Sequence, residues 1–240
     1  MPTPREGRSL NSADPTARLS IVIPVLNEGA SLAYYLTALS SLGEGVEIIV
    51  VDGGSSDASL SIARPLANRV IASQPGRARQ MNLGAQHASA PALLFLHADT
   101  QLPRGAVEQI LKALDRHAWG RFAIKLSGRS RWLPVVSWMM NLRSRLTGIA
   151  TGDQGIFARA DTFRAVGGFP AQPLMEDIEL CKRLKRISRP ACLRSKVVSS
   201  GRRWDQHGAW STIRLMWQLR YRYWRGVSAT QLAKEYHDAR

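Results

Sequence analysis

Three short apolar runs, the first two rich in β-branched residues, recur within the first hundred residues, and each stops on a cluster of polar, turn-forming residues. The runs cover 19–26, 46–51 and 92–96. They end respectively at Asn27-Glu28, at Asp52-Gly53-Gly54-Ser55-Ser56-Asp57 and at His97-Ala98-Asp99-Thr100. A strand apolar at consecutive positions is buried on both faces, as strands of a covered parallel sheet are. Between the runs, residues 29–42 carry Leu32, Leu36 and Leu39 at helical spacing, and 77–88 and 105–116 also read as helices. A further short strand is predicted at 69–72. Strands alternating with helices predict an α/β fold with a mainly parallel sheet and helices on both faces. Ligands of such sheets bind beyond the carboxyl ends of the strands, so the three polar ends should gather along one rim.

The second half is less regular. Strands are predicted at 122–127, 156–159 and 191–198, with helices at 161–166, 175–185 and 212–225. An apolar and basic stretch spans 132–146, and a Gly-rich segment spans 147–155. Neither an internal repeat nor a linker follows residue 20, which predicts one domain over 19–240, in halves 19–116 and 117–240, behind a flexible polar leader of 18 residues. The leader lacks a signal-peptide core, and no apolar run reaches bilayer length. Cys181 and Cys192 form no metal or redox spacing, which fits a reducing compartment. A cytoplasmic protein is expected, free or resting on the membrane surface.

The charge is unevenly placed. Residues 1–115 hold 9 Lys+Arg against 10 Asp+Glu, whereas residues 116–240 hold 24 against 8. Such a split points to an anionic partner for the second half, although 27 of the 33 basic residues are Arg and an Arg-rich proteome would produce a similar surplus. No helix-turn-helix, zinc or single-strand-binding signature accompanies the charge, so a nucleic-acid partner is not expected.

No G-x-G-x-x-G follows either of the first two strands, and no phosphate-binding Walker loop occurs, which argues against nicotinamide and P-loop enzymes. The Pro24-Val25-Leu26-Asn27-Glu28 turn stands where a sugar-1-phosphate nucleotidyltransferase would carry a Gly-rich loop. Taken in order, the motifs resemble the family 2 glycosyltransferases of GT-A fold, over about residues 19–237. Residues 20–28 (SIVIPVLNE) resemble the opening strand and nucleotide-binding turn, and 47–57 (EIIVVDGGSSD) the second strand. Residues 76–82 (GRARQMN) resemble the segment beside the donor ribose and diphosphate, and 95–100 (FLHADT) takes the place of the metal-binding D-x-D. Residues 152–155 (GDQG), 173–177 (PLMED) and 200–204 (SGRRW) most resemble the small bacterial transferases associated with radical-SAM and selenium-domain genes.

The resemblance implies an inverting transfer of a sugar from a nucleotide diphosphate donor to an acceptor hydroxyl. The donor residues implied are Pro24, Leu26, Asn27, Glu28, Asp52 (on the nucleobase), Gly53, Ser55, Arg77, Arg79, Asn82 and Ala98. Asp177 is implied as general base, with Glu176 as a supporting carboxylate; on their own, both acids would equally suit a helix N-terminus. Asp99 would hold a divalent metal, Mn²⁺ or Mg²⁺, on the diphosphate. His97 replaces the first carboxylate of the D-x-D, and imidazole suits manganese better than magnesium; a neutral His97 bonded to the ribose or a turn carbonyl is the alternative. Asp153, Gln154, Arg203 and Trp204 are expected on the acceptor side. Ser200 or Gly201 stands where processive members carry Gln in Q-x-x-R-W, which argues against polymer synthesis.

On a helix over 212–225, Arg214, Gln218, Arg222 and Arg225 share an arc of roughly 80°, opposite Ile213, Met216, Trp217, Tyr221, Tyr223 and Trp224. Basic helices edged with Trp suit an anionic membrane, and a lipid-linked acceptor would fit that arrangement. The same apolar residues could pack on the sheet. A basic membrane-surface or nucleic-acid-binding protein that keeps the transferase fold without activity is the alternative reading of the whole chain.

Overall fold

The computed structural model describes residues 16–238, so residues 1–15 of the predicted leader lie outside the described residues, as do the side chains at 203, 207, 209, 237 and 238. The strands are β1 (Leu19–Val25), β2 (Val46–Asp52), β3 (Arg69–Ala72), β4 (Ala92–Phe95), β5 (Thr100–Gln101), β6 (Trp119–Ser127), β7 (Ile156–Arg159) and β8 (Ala191–Ser200). They form one sheet in the order β3-β2-β1-β4-β7-β6-β8-β5. The helices are α1 (Gly29–Ser40), α2 (Ser59–Ala63), α3 (Arg77–Gln86), α4 (Ala106–Leu114), α5 (Leu133–Thr147), α6 (Ala160–Ala165), α7 (Glu176–Lys185), α8 (Arg202–His207), α9 (Ala209–Trp224) and α10 (Ala229–Asp238).

The parallel expectation holds for β3, β2, β1 and β4. The second half is mixed: β7 runs antiparallel to both β4 and β6, while β6 and β8 are parallel. The reversal has a local cause. A 3-10 turn at Gly152–Gln154 lies against His97, just past the end of β4, so β7 enters the sheet from the end at which β4 leaves it. Two strand residues at β5 and the short helices α2 and α8 are too brief to show a sequence period.

Both faces of the sheet are covered. Leu19, Ile21, Ile23 and Val25 of β1 pack with α1, α2, α4 and α5, while Val22 points to the other face among residues of α3, α6 and α7. Each fully buried aliphatic side chain here contributes roughly 1.5–3 kcal/mol. A third, smaller cluster joins Met175, Leu219 and Leu232, which holds α9 between the start of α7 and α10.

At the amino end of the sheet, Glu47 is 1% exposed. Its carboxylate accepts bonds from the Ser20 hydroxyl (2.6 Å), from Arg69 Nε (3.1 Å) and from the Ser89 amide (2.9 Å). Strands β1, β2 and β3 and the segment before β4 are thus tied together at the end opposite their polar turns, because a buried charge must be paired and bonded.

Helix α3 sits close on the sheet because residue 84 has no side chain. A Cβ at Gly84 would lie 2.3 Å from Val22 Cγ1 and 3.0 Å from Val51 Cγ2. That close approach sets Arg77 and Gln80 at the carboxyl rim. Gly84→Ala is expected to cost about 1–3 kcal/mol by overpacking, read as a lower urea midpoint at unchanged slope. An unaltered midpoint would show that α3 can lift without penalty.

Candidate active site

Parallel pairing of β1 with both β2 and β4 brings three strand ends side by side, since neighbouring strands lie about 4.8 Å apart. The polar turns that follow bond to one another. The Asn27 amide donates to Ser55 Oγ (2.9 Å), the Glu28 amide to Ser59 Oγ (2.9 Å) and the Gly29 amide to Asp57 Oδ2 (2.8 Å). Asn27 accepts in turn from the Ser56 amide at 2.8 Å, from a left-handed backbone with φ 55°. Bonds from Ser59 and the Gly29 amide hold the Asp57 carboxyl below its ordinary range. Gln80, buried on α3, donates to the carbonyls of Val25 (2.9 Å) and Val51 (2.8 Å) and so fastens the two strand ends.

Asp52 is 3% exposed. Its Oδ2 accepts from the amides of Gly54 (2.9 Å) and Ser55 (3.0 Å), while Oδ1 is buried with no hydrogen-bond partner among the described residues. A lone buried acceptor costs about 1–3 kcal/mol, so this oxygen is poised for a donor supplied from outside the chain. Pro24 and Ala98 line the neighbouring strand ends and Leu26 is exposed beside them; Gly53 packs on Gln80, where a Cβ would meet the amide at 3.0 Å.

On the far side of β1, Arg202 reaches Glu28 Oε2 (3.0 Å) and Asp99 Oδ2 (3.5 Å). It is delivered there by β8, whose Ser199 pairs with Thr100 of β5. Burial and the nearby Glu28 push the Asp99 carboxyl up, and the bond to Glu28 raises Arg202. Arg202 was not singled out from the sequence, which favoured its neighbours. The Arg203 side chain lies outside the described residues, and Trp204 is half-buried against the core.

The turn at Gly152–Gln154 completes the rim. A Cβ at Gly152 would stand 2.6 Å from His97 Nε2, so the imidazole rests directly on this backbone. The Gly152 amide donates to Asp177 Oδ2 at 3.0 Å, and the other Asp177 oxygen accepts from the Ile178 amide at 2.8 Å. Met175, with φ 64°, turns the chain so that Glu176 and Asp177 open α7. Glu176 is 5% exposed, and Arg77 Nη1 lies 3.8 Å from its carboxylate. Burial first, then the Asp177 charge, push the Glu176 carboxyl up to about 7. Burial and Arg77 hold His97 neutral, well below its usual range. Two sets of rim contacts result: one runs from Asp52 through Asn27 and Glu28 to Arg202 and Asp99, and the other joins His97, Gly152 and Asp177, with residues 97–99 of the chain linking them.

Two arginines that sequence reading passed over border the Asp177 end. Arg143 on α5 and Arg220 on α9 are largely buried near Asp153 and Asp177, and burial together with Arg220 lowers Arg143 to about 10. Arg143 Nε and Nη2 and Asp153 Oδ1 are buried without partners among the described residues. Burial also raises the Asp153 carboxyl. One expectation here needs correcting. Gln154 is fully buried, with its amide spent on Thr151 and Ser144, so it shapes the turn instead of offering a hydroxyl contact. Each end of the Asn82 amide makes one bond to the backbone of Phe169 (2.8 and 2.9 Å), so Asn82 pins the Gly167-Gly168 turn. Arg79 is exposed on the first turn of α3.

A divalent cation suits the Asp99 end. Glu28 and Asp99 share one guanidinium among the described residues, that of Arg202. Among the described residues no three His, Cys, Asp or Glu side chains converge as a ready-made cage. Phosphate oxygens and water would supply the remaining ligands, as is common for magnesium. The expected His97 ligand does not join Asp99: its imidazole faces Gly152 and Arg77, whereas Asp99 faces Glu28, Arg202 and Tyr35.

Known proteins agree with this architecture. The structure is similar to S. aureus TarS 1-349, at 19% identity and TM-score 0.61, with 77% of this chain and 60% of that one covered. That protein has also been solved with UDP and with UDP-GlcNAc. A mannosyltransferase from Pyrobaculum calidifontis, in complex with GDP-Man and Mn²⁺, is similar at 20% identity and TM-score 0.67, over 95% of this chain and 70% of that one. A sequence profile described as glycosyl transferase family 2 matches residues 20–166. With more than half of its length under that match and its rim built as described, the chain belongs to glycosyl transferase family 2.

Proposed function

We propose that the protein transfers a glycosyl group from a nucleotide diphosphate sugar to an acceptor hydroxyl, with inversion at the anomeric carbon. The observation that carries this reading is the gathering at the carboxyl ends of the strands of Asp52, the Glu28–Arg202–Asp99 bridge and, through the Gly152 turn beside His97, the Glu176–Asp177 pair. The donors found in the two similar structures, UDP-GlcNAc and GDP-Man, belong to the same chemical class.

Asp52 Oδ1 accepts an N–H from the nucleobase, which satisfies its unpaired position. Asn27 and Ser55 act behind it by holding the turn. Arg77, exposed at the start of α3 and already beside Glu176, bonds the diphosphate, and Arg79 adds positive charge on the same turn. A divalent ion bound by Asp99 would act as a Lewis acid toward the departing diphosphate. Asp177 removes the proton from the acceptor hydroxyl. Its two oxygens are oriented by the Gly152 and Ile178 amides, so it meets the acceptor in one fixed direction. A single base and attack opposite the leaving group give inversion. Glu176 positions Arg77 and, carrying a proton for part of the neutral range, keeps the negative charge beside Asp177 low. Arg143, Arg220 and Asp153 border the acceptor side, and two guanidiniums there favour an acceptor that carries an anionic group.

A thermal-shift screen of UDP- and GDP-sugars with Mn²⁺ or Mg²⁺ tests the class directly, and stabilisation by none of them would reject it. Asp177→Asn should lower turnover by roughly 10²–10⁴-fold while leaving donor affinity within a factor of about two; normal turnover by this variant removes the base assignment. Asp99→Ala should weaken binding of UDP or GDP at least about tenfold in the presence of Mn²⁺ and little in its absence. Equal affinities in calorimetric titrations with the metal would contradict the role of Asp99.

Glu176 also sets a pH dependence. Its folded pKa of about 7 lies above the ordinary 4.5, so the folded state binds the proton more tightly than the unfolded one. The cost of its charge is absent below pH 4.5, develops between 4.5 and 7 and is fully present above 7. Glu176→Gln is expected to be more stable than the parent by on the order of 3 kcal/mol at pH 8 and equal to it at pH 4. Urea midpoints at the two pH values measure this, and an advantage that grows toward acid would refute the burial account.

A further inference from the structure

Five of the seven tryptophans, at 132, 138, 210, 217 and 224, are exposed, and all belong to α5, α9 or the residue just before α5. Their placement is regular. On α9 the exposed residues Trp210, Arg214, Trp217, Tyr221 and Trp224 fall within about 80° of arc. On α5 the exposed Val135, Trp138, Leu142 and Leu146 form a second stripe of similar width, bordered by Arg145. Exposure is high along both, reaching 76% at Trp224 and at Leu146.

These residues are not awaiting a place in the core. Helix α9 already has an inner side, where Leu219 is buried, Leu215, Met216 and Tyr223 pack around it, and α10 closes over them with Leu232 and the Arg222–Glu235 pair. The arrangement revises the arc read from the sequence: Trp217, Tyr221 and Trp224 share the outer stripe with Arg214, while Arg222 is drawn to α10. The two stripes also adjoin each other. Trp132 stacks on Trp210 with ring centroids 5.0 Å apart, and Ile213 packs in the cluster that contains Leu133 and Val136.

Charge identifies the occupant. Helices α5 and α9 hold neither Asp nor Glu, and of their five arginines Arg145 and Arg214 are exposed beside the stripes, while Arg143, Arg220 and Arg222 turn inward or to α10. Two ridges of Trp and aliphatic side chains edged by arginine match an anionic lipid interface, where indole rings settle at headgroup depth and each cation near the surface contributes about 1 kcal/mol. No helix among the described residues is long and apolar enough to cross a membrane. We propose that the α5–α9 face docks on the surface of an anionic phospholipid membrane, its tryptophans inserted at headgroup level. This surface stands independently of the transferase reading. Arg220 leads from it toward Asp177, so the acceptor side of the cleft opens next to the lipid.

Co-sedimentation of the full chain with large vesicles tests it, using phosphatidylcholine alone and phosphatidylcholine with 30% phosphatidylglycerol. Binding is expected to the mixed vesicles at low salt, to fall at least about tenfold in 0.5 M salt, and to be weak on neutral vesicles, because exposed charges are screened. Tryptophan emission should shift to the blue on binding and be quenched by brominated acyl chains. Trp217→Ala/Trp224→Ala should lose at least about tenfold in partitioning and Arg214→Gln about threefold to fivefold, each with an unchanged thermal midpoint. Absence of binding to anionic vesicles would overturn the proposal, as would binding indifferent to these substitutions. A concentration-dependent dimer in sedimentation velocity, abolished by Trp217→Ala/Trp224→Ala, would assign the face to a second copy of the chain instead.

Discussion

The structure rests on parallel pairing of one central strand with neighbours on both sides. With Val25 opposite Asp52 and Val22 opposite Phe95, β1, β2 and β4 must all leave the sheet in the same direction. Their terminal backbone groups cannot continue the ladder and need other partners. Ser55, Asp57 and Ser59 supply them for the Asn27–Gly29 turn, and Gln80 supplies them for Val25 and Val51. The rim is therefore a consequence of topology, with polar residues that complete each other's bonding before any ligand arrives. Asp52 Oδ1 stands outside that mutual arrangement.

The basic surplus of the second half acquires a double use. Part of it turns inward: Arg202 bridges Glu28 and Asp99, and Arg143 and Arg220 stand beside Asp153 and Asp177. These guanidiniums come from β8–α8, α5 and α9, whereas most of the nucleotide-side carboxylates come from the first half. The two halves meet as opposite charges where Arg202 bridges Glu28 and Asp99, whereas Arg143 and Arg220 face Asp153 and Asp177 of their own half. Arg145 and Arg214 lie outward beside the aromatic stripes.

The strands and most helices could be read from the sequence because buried β-branched runs and leucines at helical spacing are local signals. Arg69–Ala72 and Ile156–Arg159 match their expected ranges. The position of β7 between β4 and β6 is a long-range fact, dictated by the Gly152–Gln154 turn, and no local pattern encodes it. The site was legible by residue type more than by task. A polar residue in a loop looks the same whether it bonds a ligand or its own backbone, and Asn82 and Gln154 serve their own chain. The motif at 200–204 pointed to Arg203 and Trp204, whereas the residue that reaches Asp99 is Arg202, brought there by the β5–β8 pairing; the Arg203 side chain lies outside the described residues. Arg143 and Arg220 lie within helices whose apolar and basic composition suited a membrane face and core packing alike, and neither pattern marks which arginine turns inward.

The Glu47 cluster has a consequence for how such a scaffold can change. It secures β1, β2 and β3 at one end, whereas the nucleotide end of β2 is five residues away, roughly 17 Å along an extended chain. Perturbations that far apart usually combine without interfering. The turns at 27–28, 53–56 and 97–100 can accordingly change in sequence while the strands stay anchored, so that the rim can drift over evolutionary time on a foundation that does not move.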